Sequence, residues 1–189
     1  MMRRSEAVVL DLLMLSWFLI ILVLIYEEDH LVKYSLVINL LCIIIFSPYT
    51  IYIKPYFIMI SFIGFLLGII YLFSQHPFKS SDWIYLFFSI LLYVGSRLFE
   101  MISPVWYVLY PNGIHAIIIL LVTVMITTHN RSQIAIICSI LMVGELIIIF
   151  LYNEYGITNI MDDQIFYVFF NVLFIRYVFL FISRIVRTI

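Results

Sequence analysis

The sequence predicts an all-α fold, a polytopic transmembrane helical bundle with seven hydrophobic segments, and three observations support this class. The chain of 189 residues is 66% hydrophobic and 11% charged, whereas a soluble domain is about half apolar and a quarter charged. Its mean hydropathy is +1.19. Its apolar residues form unbroken runs such as "AIIILLVTVMI", without the alternation of apolar and polar residues that marks barrel strands. Backbone groups in lipid must bond within their own segment, so these runs are expected to be helices.

A spanning helix needs about 20 mostly apolar residues, and charge, proline or glycine marks the connections. The first segment, residues 7–26, follows two arginines like a signal peptide, but its apolar part is too long for one. We therefore expect a retained helix. The second segment, 31–46, ends at Ser47-Pro48, because proline cannot continue a helix. The third, 56–73, stops before the polar stretch "SQHPFKSSD".

The fourth segment, 83–102, ends before a second Ser-Pro pair, and the fifth covers 113–128, with an earlier start at Pro104 left open. The sixth covers 133–152, and the seventh covers 165–182 and leaves a short tail, "SRIVRTI". The connections are too short to hold a folded extramembrane domain. The chain is thus expected to form a single integral membrane domain.

The number of crossings and the orientation are open at this stage. With seven spans, the positive-inside rule weakly favours a cytoplasmic C-terminus, because five Lys and Arg lie on that side and three on the other. With six full spans and one re-entrant or interfacial helix in the region 83–128, the split is cleaner. Both alternatives put the C-terminus in the cytoplasm, and they disagree about the N-terminus.

Two charged residues lie deep in apolar segments, Glu145 in the sixth and Arg176 in the seventh. Such residues usually face the bundle interior and often mark function. Their depths, counted from the shared loop, differ by about 6 Å at a rise of 1.5 Å per residue. We expect an ion pair between them. The alternatives are a protonatable Glu145 on a transport path, or an Arg176 that extends to the surface while Glu145 stays neutral.

Arg97 and Glu100 are three residues apart and therefore neighbours on one helical face. We expect a local pair near the membrane interface. The functional alternative is that they line a polar site together with His115, across the turn between the fourth and fifth segments. These five residues (Arg97, Glu100, His115, Glu145, Arg176) are the candidate intramembrane polar site.

The third segment carries small residues at helical spacing, Ser61, Gly64 and Gly68. This pattern lets two helices approach closely. We expect it to pack within the bundle, and a seam between two copies is the alternative.

Other chemistry has little support in the sequence. There is no basic block for nucleic acid, no glycine-rich phosphate loop and no nucleophile motif, so we expect no catalytic residues and no cofactor. Three histidines, His30, His76 and His129, fall in connections that share one side in the seven-span arrangement. Their spacing matches no zinc motif, so we expect no metal. Cys42 and Cys138 are expected to be small buried hydrophobes.

The stretch "FEMISPVW" (Phe99 to Trp106), within a seven-segment chain of this length, resembles the YphA-type small membrane proteins of Bacillota. The resemblance implies a plasma-membrane location and no particular biochemical activity. Our leading hypothesis is a non-enzymatic plasma-membrane protein that acts through helix–helix contacts with itself or another membrane protein. The alternative is a small transporter or channel that uses Glu145, Arg176, Arg97 and Glu100. The third is an intramembrane enzyme acting on a lipid-linked substrate.

Overall fold

Seven helices and one short β-hairpin make up the described part of the chain. The computed structural model describes residues 6–46, 49–53, 56–75, 80–102, 111–127, 130–153 and 164–188. The helices are α1 (Glu6–Tyr26), α2 (His30–Phe46), α3 (Ile60–Gln75), α4 (Ser80–Ile102), α5 (Pro111–Ile126), α6 (Asn130–Asn153) and α7 (Gln164–Thr188). The predicted helical fold with seven segments is confirmed.

The third predicted segment is wrong at its start. Residues Tyr56–Met59 form a strand, β2, which pairs antiparallel with β1 (Thr50–Ile53), and the helix begins only at Ile60. Both strands consist of β-branched, aromatic and other residues that suit a pleated surface. The ladder pairs about half of the backbone groups of the two strands with each other, because every second residue of a two-stranded hairpin directs its N–H and C=O away from the partner.

The helices α5 and α7 also differ from the prediction, α5 at its start and α7 at its end. The helix α5 begins at Pro111, two residues before the prediction, and proline suits a first helical position because its missing N–H would have no partner there. The helix α7 runs to Thr188, so the residues after 182, which were predicted to form a short tail, are helical to the end of the described chain.

The helix α6 lies at the centre of the bundle. It packs against α2, α3, α4, α5 and α7, and its side chains from Ile134 to Met142 are all buried. Around it, α1 packs against α2 and α7, and α5 packs against α4 and α7. A helix that is apolar on all sides is the kind expected at such a position.

The first and last helices run parallel to each other. The rings of Phe18 and Phe174 lie 6.3 Å apart, and further along both helices the rings of Tyr26 and Phe181 lie 5.9 Å apart. The two helices therefore finish at the same end of the bundle, which we call the α7-finish end. The other is the α7-start end.

The helices differ in how well they match a bilayer. In the described residues, three helical stretches are long and apolar enough to cross a membrane, namely Asp82–Glu100, Ser132–Leu151 and Gln164–Val186. Shorter apolar stretches occur at Leu10–Tyr26, His30–Phe46 and Asn112–Ile126. By length and composition, the candidate spans among the described residues thus lie in α4, α6 and α7.

Candidate functional site

One face of α4 carries four polar side chains, Tyr93, Ser96, Arg97 and Glu100. Their spacing of three, one and three residues places them on a single helical stripe. This stripe faces α5 and α6, because its side chains contact His115 and Glu145. Arg97 and Glu100 were predicted from the sequence, and Tyr93 and Ser96 were not.

Glu145 is buried in α6 and is held by two groups from α4. The Tyr93 hydroxyl donates a hydrogen bond to Glu145 Oε1 over 2.6 Å. Arg97 Nε lies 3.4 Å from the same oxygen, close enough for an ion pair but without the geometry of a hydrogen bond. The carboxylate therefore has a donor and a counter-charge from the neighbouring helix.

Gly144 allows this contact to form. A Cβ atom at Gly144 would lie 2.4 Å from Cδ1 of the Tyr93 ring, a distance that no real side chain tolerates. The tyrosine ring lies against bare backbone and so reaches the adjacent glutamate. The pairing of Tyr93, Gly144 and Glu145 fixes how α4 and α6 meet.

Glu100 is the second junction of the stripe. Its Oε2 accepts a hydrogen bond from Arg97 Nη1 at 2.7 Å and lies 2.9 Å from His115 Nε2. Its Oε1 accepts a longer bond, 3.3 Å, from Nε2 of Gln164 at the start of α7. The glutamate thus links α4, α5 and α7 at the α7-start end of the bundle.

His115 closes the arrangement on the α5 side. Its side chain is fully buried, and its Nδ1 lies 3.0 Å from the Ser96 hydroxyl oxygen. Tyr93, Ser96, Arg97, Glu100, His115, Glu145 and Gln164 are therefore connected by contacts of 3.4 Å or less. We call this set the α4 network.

The α4 network accepts two protonation states at His115. The Ser96 hydroxyl lies 2.7 Å from the Tyr93 carbonyl oxygen, and a hydroxyl has one proton to donate. If that proton goes to the carbonyl, His115 Nδ1 must donate to Ser96 while Nε2 donates to Glu100, which makes the ring an imidazolium. If the serine proton turns to Nδ1, the ring is neutral. The same heavy-atom positions are therefore compatible with both a neutral and a protonated His115, two states that differ by one proton.

The predicted ion pair between Glu145 and Arg176 is not present. Arg176 Nη1 instead donates to Glu27 Oε2 at 3.1 Å, at the connection between α1 and α2. The Tyr177 hydroxyl donates to the same oxygen at 3.2 Å, and the Arg176 guanidinium lies 5.1 Å from the centre of the Tyr177 ring. We call these three residues the Glu27 cluster. The prediction of a Glu145–Arg176 pair used only the depth of each residue along its helix. Depth does not determine the rotation of a helix about its axis, and the rotation decides which side chains meet.

The Glu27 cluster has an exposed neighbour at the same end. Arg184 contacts the Glu28 carboxylate and donates to the carbonyl of Tyr26 at 3.2 Å. Glu27 is 2% exposed, whereas the side chain of Glu28 is 84% exposed. One acidic residue at this end is thus buried with its cation, and the next one is solvated.

The small residues of α3 lie against α2. A Cβ at Gly68 would fall 2.1 Å from Asn39 Nδ2, and one at Gly64 would fall 2.8 Å from Cys42 Cβ. Both glycines allow close approach within the chain. The side chain of Ser61, the third residue of this pattern, lies outside the described part.

Metal binding has no support in the described residues. In the ranges that the structure covers, no group of three or more His, Cys, Asp or Glu is arranged to hold a metal ion. His30 stacks on the Tyr34 ring. His76 and His129, the other two histidines considered, lie outside these ranges.

Comparisons with known proteins identify the family. No curated protein and no solved structure matches the chain. A family model described as a YphA-like integral membrane protein matches residues 10–189, which covers nearly the whole bundle from α1 to α7. The chain therefore belongs to the YphA-like integral membrane protein family.

Proposed function

We propose that the protein is a non-enzymatic, multi-pass component of the plasma membrane that acts through helix–helix contacts with a second copy or with another membrane protein. The observation that carries this proposal is the outward surface of α4. Its side chains Trp83, Ile84, Tyr85, Phe87, Phe88, Leu91 and Leu92 are 46% to 63% exposed. Of the stretch 82–100, 28% is buried inside the bundle, against 67% for the α6 stretch 132–151. The first half of α4 thus presents a wide aromatic surface to its surroundings.

The buried charges support a packing role as well. Glu145 is held by Tyr93 and Arg97, and Arg176 is held by Glu27. Charges within a membrane usually pair with one another or line a water-filled path. These two pair inside the chain, so their observed contacts join helices to one another.

Site-specific photo-crosslinking in intact membranes tests the proposal. A photo-reactive phenylalanine analogue would replace Phe88 in α4 or, as the control, Phe179 in α7; each phenylalanine is 63% exposed. We expect a protein adduct of defined mass from position 88 and not from position 179. Mass spectrometry would show whether the adduct is a second copy or one reproducible partner. Lipid adducts alone at both positions would contradict the proposal.

The parallel course of α1 and α7 supports seven crossings. Six crossings would return the C-terminus to the side of the N-terminus, and two end helices that both span would then run antiparallel. With seven crossings and the positive-inside rule, the C-terminus is cytoplasmic and the N-terminus lies outside. A reporter fused after Ile189 is expected to read cytoplasmic and one fused before Met1 external. Equal signals from the two fusions would rule out an odd number of crossings.

A small proton-handling transporter or channel is the second candidate. It is favoured by the continuity of the α4 network, which runs from Glu100, with a side chain 17% exposed, to Glu145, 7% exposed. Arg176 is not part of this chain of contacts, because it pairs with Glu27. Liposomes that contain the purified protein and a pH-sensitive dye would measure proton flux under an imposed potential. A transporter would carry flux above that of empty liposomes, reduced by Glu145→Gln and unchanged by Arg184→Gln; equal flux with and without protein would reject this candidate.

A further inference from the structure

A groove on the side of the bundle lies between α1 and α7 and reaches the start of α5. Its volume is about 320 Å³, at the lower end of the range for small-molecule sites. Aromatic and aliphatic side chains form its walls, among them Leu15 and Phe18 of α1 and Tyr167, Phe170 and Phe174 of α7. Two amide side chains also line it, those of Asn112, the second residue of α5, and Asn171 of α7. None of these residues belongs to the α4 network or to the Glu27 cluster.

The groove opens sideways, toward the bilayer. Phe18, Phe174 and Leu15 are 50%, 44% and 37% exposed and form its outer edge, whereas Phe170 is buried at its inner wall. In an integral membrane protein such an edge faces lipid. An α-helix with its side chains is about 10–12 Å across, so one turn of 5.4 Å fills roughly 420–610 Å³. The groove is too small for a partner helix and is suited to a flexible chain.

One acceptor at the Asn112 end of the groove lacks a donor. The side-chain oxygen of Asn112 is buried and has no hydrogen-bond partner in the described chain. Leaving a buried acceptor without a donor costs about 1–3 kcal/mol. A molecule that fills the groove and brings a donor to this oxygen would remove that cost.

We propose that this groove binds one phospholipid whose headgroup carries a hydrogen-bond donor, with an acyl chain along the aromatic wall and the Asn112 oxygen as acceptor. The placement matches the polarity of such a lipid. Asn112 lies at the α7-start end of the bundle, while Phe174 lies ten residues into α7, about 15 Å from the start of that helix at 1.5 Å per residue. Phosphatidylethanolamine and phosphatidylglycerol have a headgroup donor, and phosphatidylcholine has none.

Photolabelling in nanodiscs tests the proposal with defined lipids. The full-length protein would be placed in phosphatidylcholine nanodiscs with a trace of one lipid that carries a photoreactive acyl chain. The probes are phosphatidylethanolamine, phosphatidylglycerol and phosphatidylcholine, and labelled peptides would be mapped by mass spectrometry. We expect the first two probes to label α1 near Phe18 and α7 near Phe174 about threefold to tenfold more than the third, the gain expected from one hydrogen bond.

Two variants distinguish binding of the acyl chain from recognition of the headgroup. Leu15→Trp would fill the groove and should reduce labelling by all three probes. Leu66→Trp in α3 is the matched control, since both leucines are 37% exposed, and it should leave labelling unchanged. Asn112→Leu keeps the apolar wall, so it should abolish the preference for donor headgroups and retain labelling by the phosphatidylcholine probe. Thermal unfolding would establish that each variant is folded.

Three outcomes would overturn the proposal. Equal labelling by all probes would show that the headgroup donor is not recognised. A preference that survives in Asn112→Leu would assign recognition to another residue. Labelling spread evenly over the outward helices, or unchanged by Leu15→Trp, would show surrounding lipid without a defined site. Because the readout is lipid labelling at α1 and α7, it is independent of any contact made by α4.

Discussion

The α4 network and the Glu27 cluster hold buried charges by different means. The α4 network joins side chains that are 3 to 64 positions apart in the sequence, most of them on one stripe of α4. The Glu27 cluster joins residues 149 and 150 positions apart, at the connection after α1 and within α7. The first network offers several donors to two carboxylates. The second offers two donors to a single carboxylate oxygen.

This difference indicates where the bundle is most sensitive to a single change. In the α4 network, Arg97 contacts both Glu100 and Glu145, so losing one contact leaves another. In the Glu27 cluster, Arg176 and Tyr177 both donate to one oxygen of Glu27, and Arg176 supplies the positive charge there. A buried charge deprived of its counter-ion is costly. The loss of unfolding free energy should therefore be larger where fewer charged partners remain.

The largest effect is expected for Arg176→Gln. The change leaves Glu27, 2% exposed, without this cation, and breaking a buried pair typically costs about 3–5 kcal/mol. Thermal or denaturant unfolding in detergent would measure the loss. Arg184→Gln is the control, because its pair with Glu28 is exposed and such pairs contribute about 0–1 kcal/mol. Equal losses in the two variants would show that burial of the Glu27 cluster does not matter.

An intermediate effect is expected for Gly144→Ala. The new methyl group would overlap the Tyr93 ring, and overpacking of this kind costs about 1–3 kcal/mol. Gly95→Ala on α4 is the matched control, since a Cβ there meets no heavy atom of the described chain within 4 Å. Alanine is the better helix former by about 1 kcal/mol, so the control should be neutral or stabilising. Equal unfolding midpoints for Gly144→Ala and Gly95→Ala would show that the close contact of α4 and α6 at Gly144 does not limit stability.

The smallest effect is the coupling between the two regions. Glu145 and Arg176 share no hydrogen-bond or ion-pair partner among the contacts found for them. The losses from Glu145→Gln and Arg176→Gln should therefore add to within about 0.5 kcal/mol. A double-mutant cycle on unfolding free energies measures this term. A coupling well above that value would indicate direct contact between Glu145 and Arg176, as their positions along the two helices predicted.

Particular residues show what could be predicted from the sequence and what could not. The seven apolar segments were visible because hydrophobicity is a local property. The pair of Arg97 and Glu100 was visible because a spacing of three residues fixes a shared helical face. The partner of Glu145 was not visible, because a helix that is apolar all round carries no signal of its rotation. Tyr93 and Ser96 could have been predicted, because their spacing places them on the same face of α4 as Arg97 and Glu100. For Glu27, the sequence shows only that it follows the first apolar segment.

The β-hairpin was missed for a different reason. The rule that lipid-exposed backbone must be helical was applied to a stretch rich in β-branched and aromatic residues, whose preference for paired strands prevails here. The partner of Arg176 lies beyond any local rule, since the contact closes the chain between its first and last helices. Whether the five candidate polar residues carry a function stays a prediction.

The contact between the ends of the chain also has a consequence during synthesis. Glu27 leaves the ribosome 149 residues before Arg176, and chains grow at about 5–20 residues per second. Its cation therefore arrives roughly 7–30 s later. During that interval the Glu27 carboxylate lacks the guanidinium of Arg176, so it must stay in contact with water or take up a proton. The arrival of α7 supplies the guanidinium of Arg176 and completes the contact between the first and last helices.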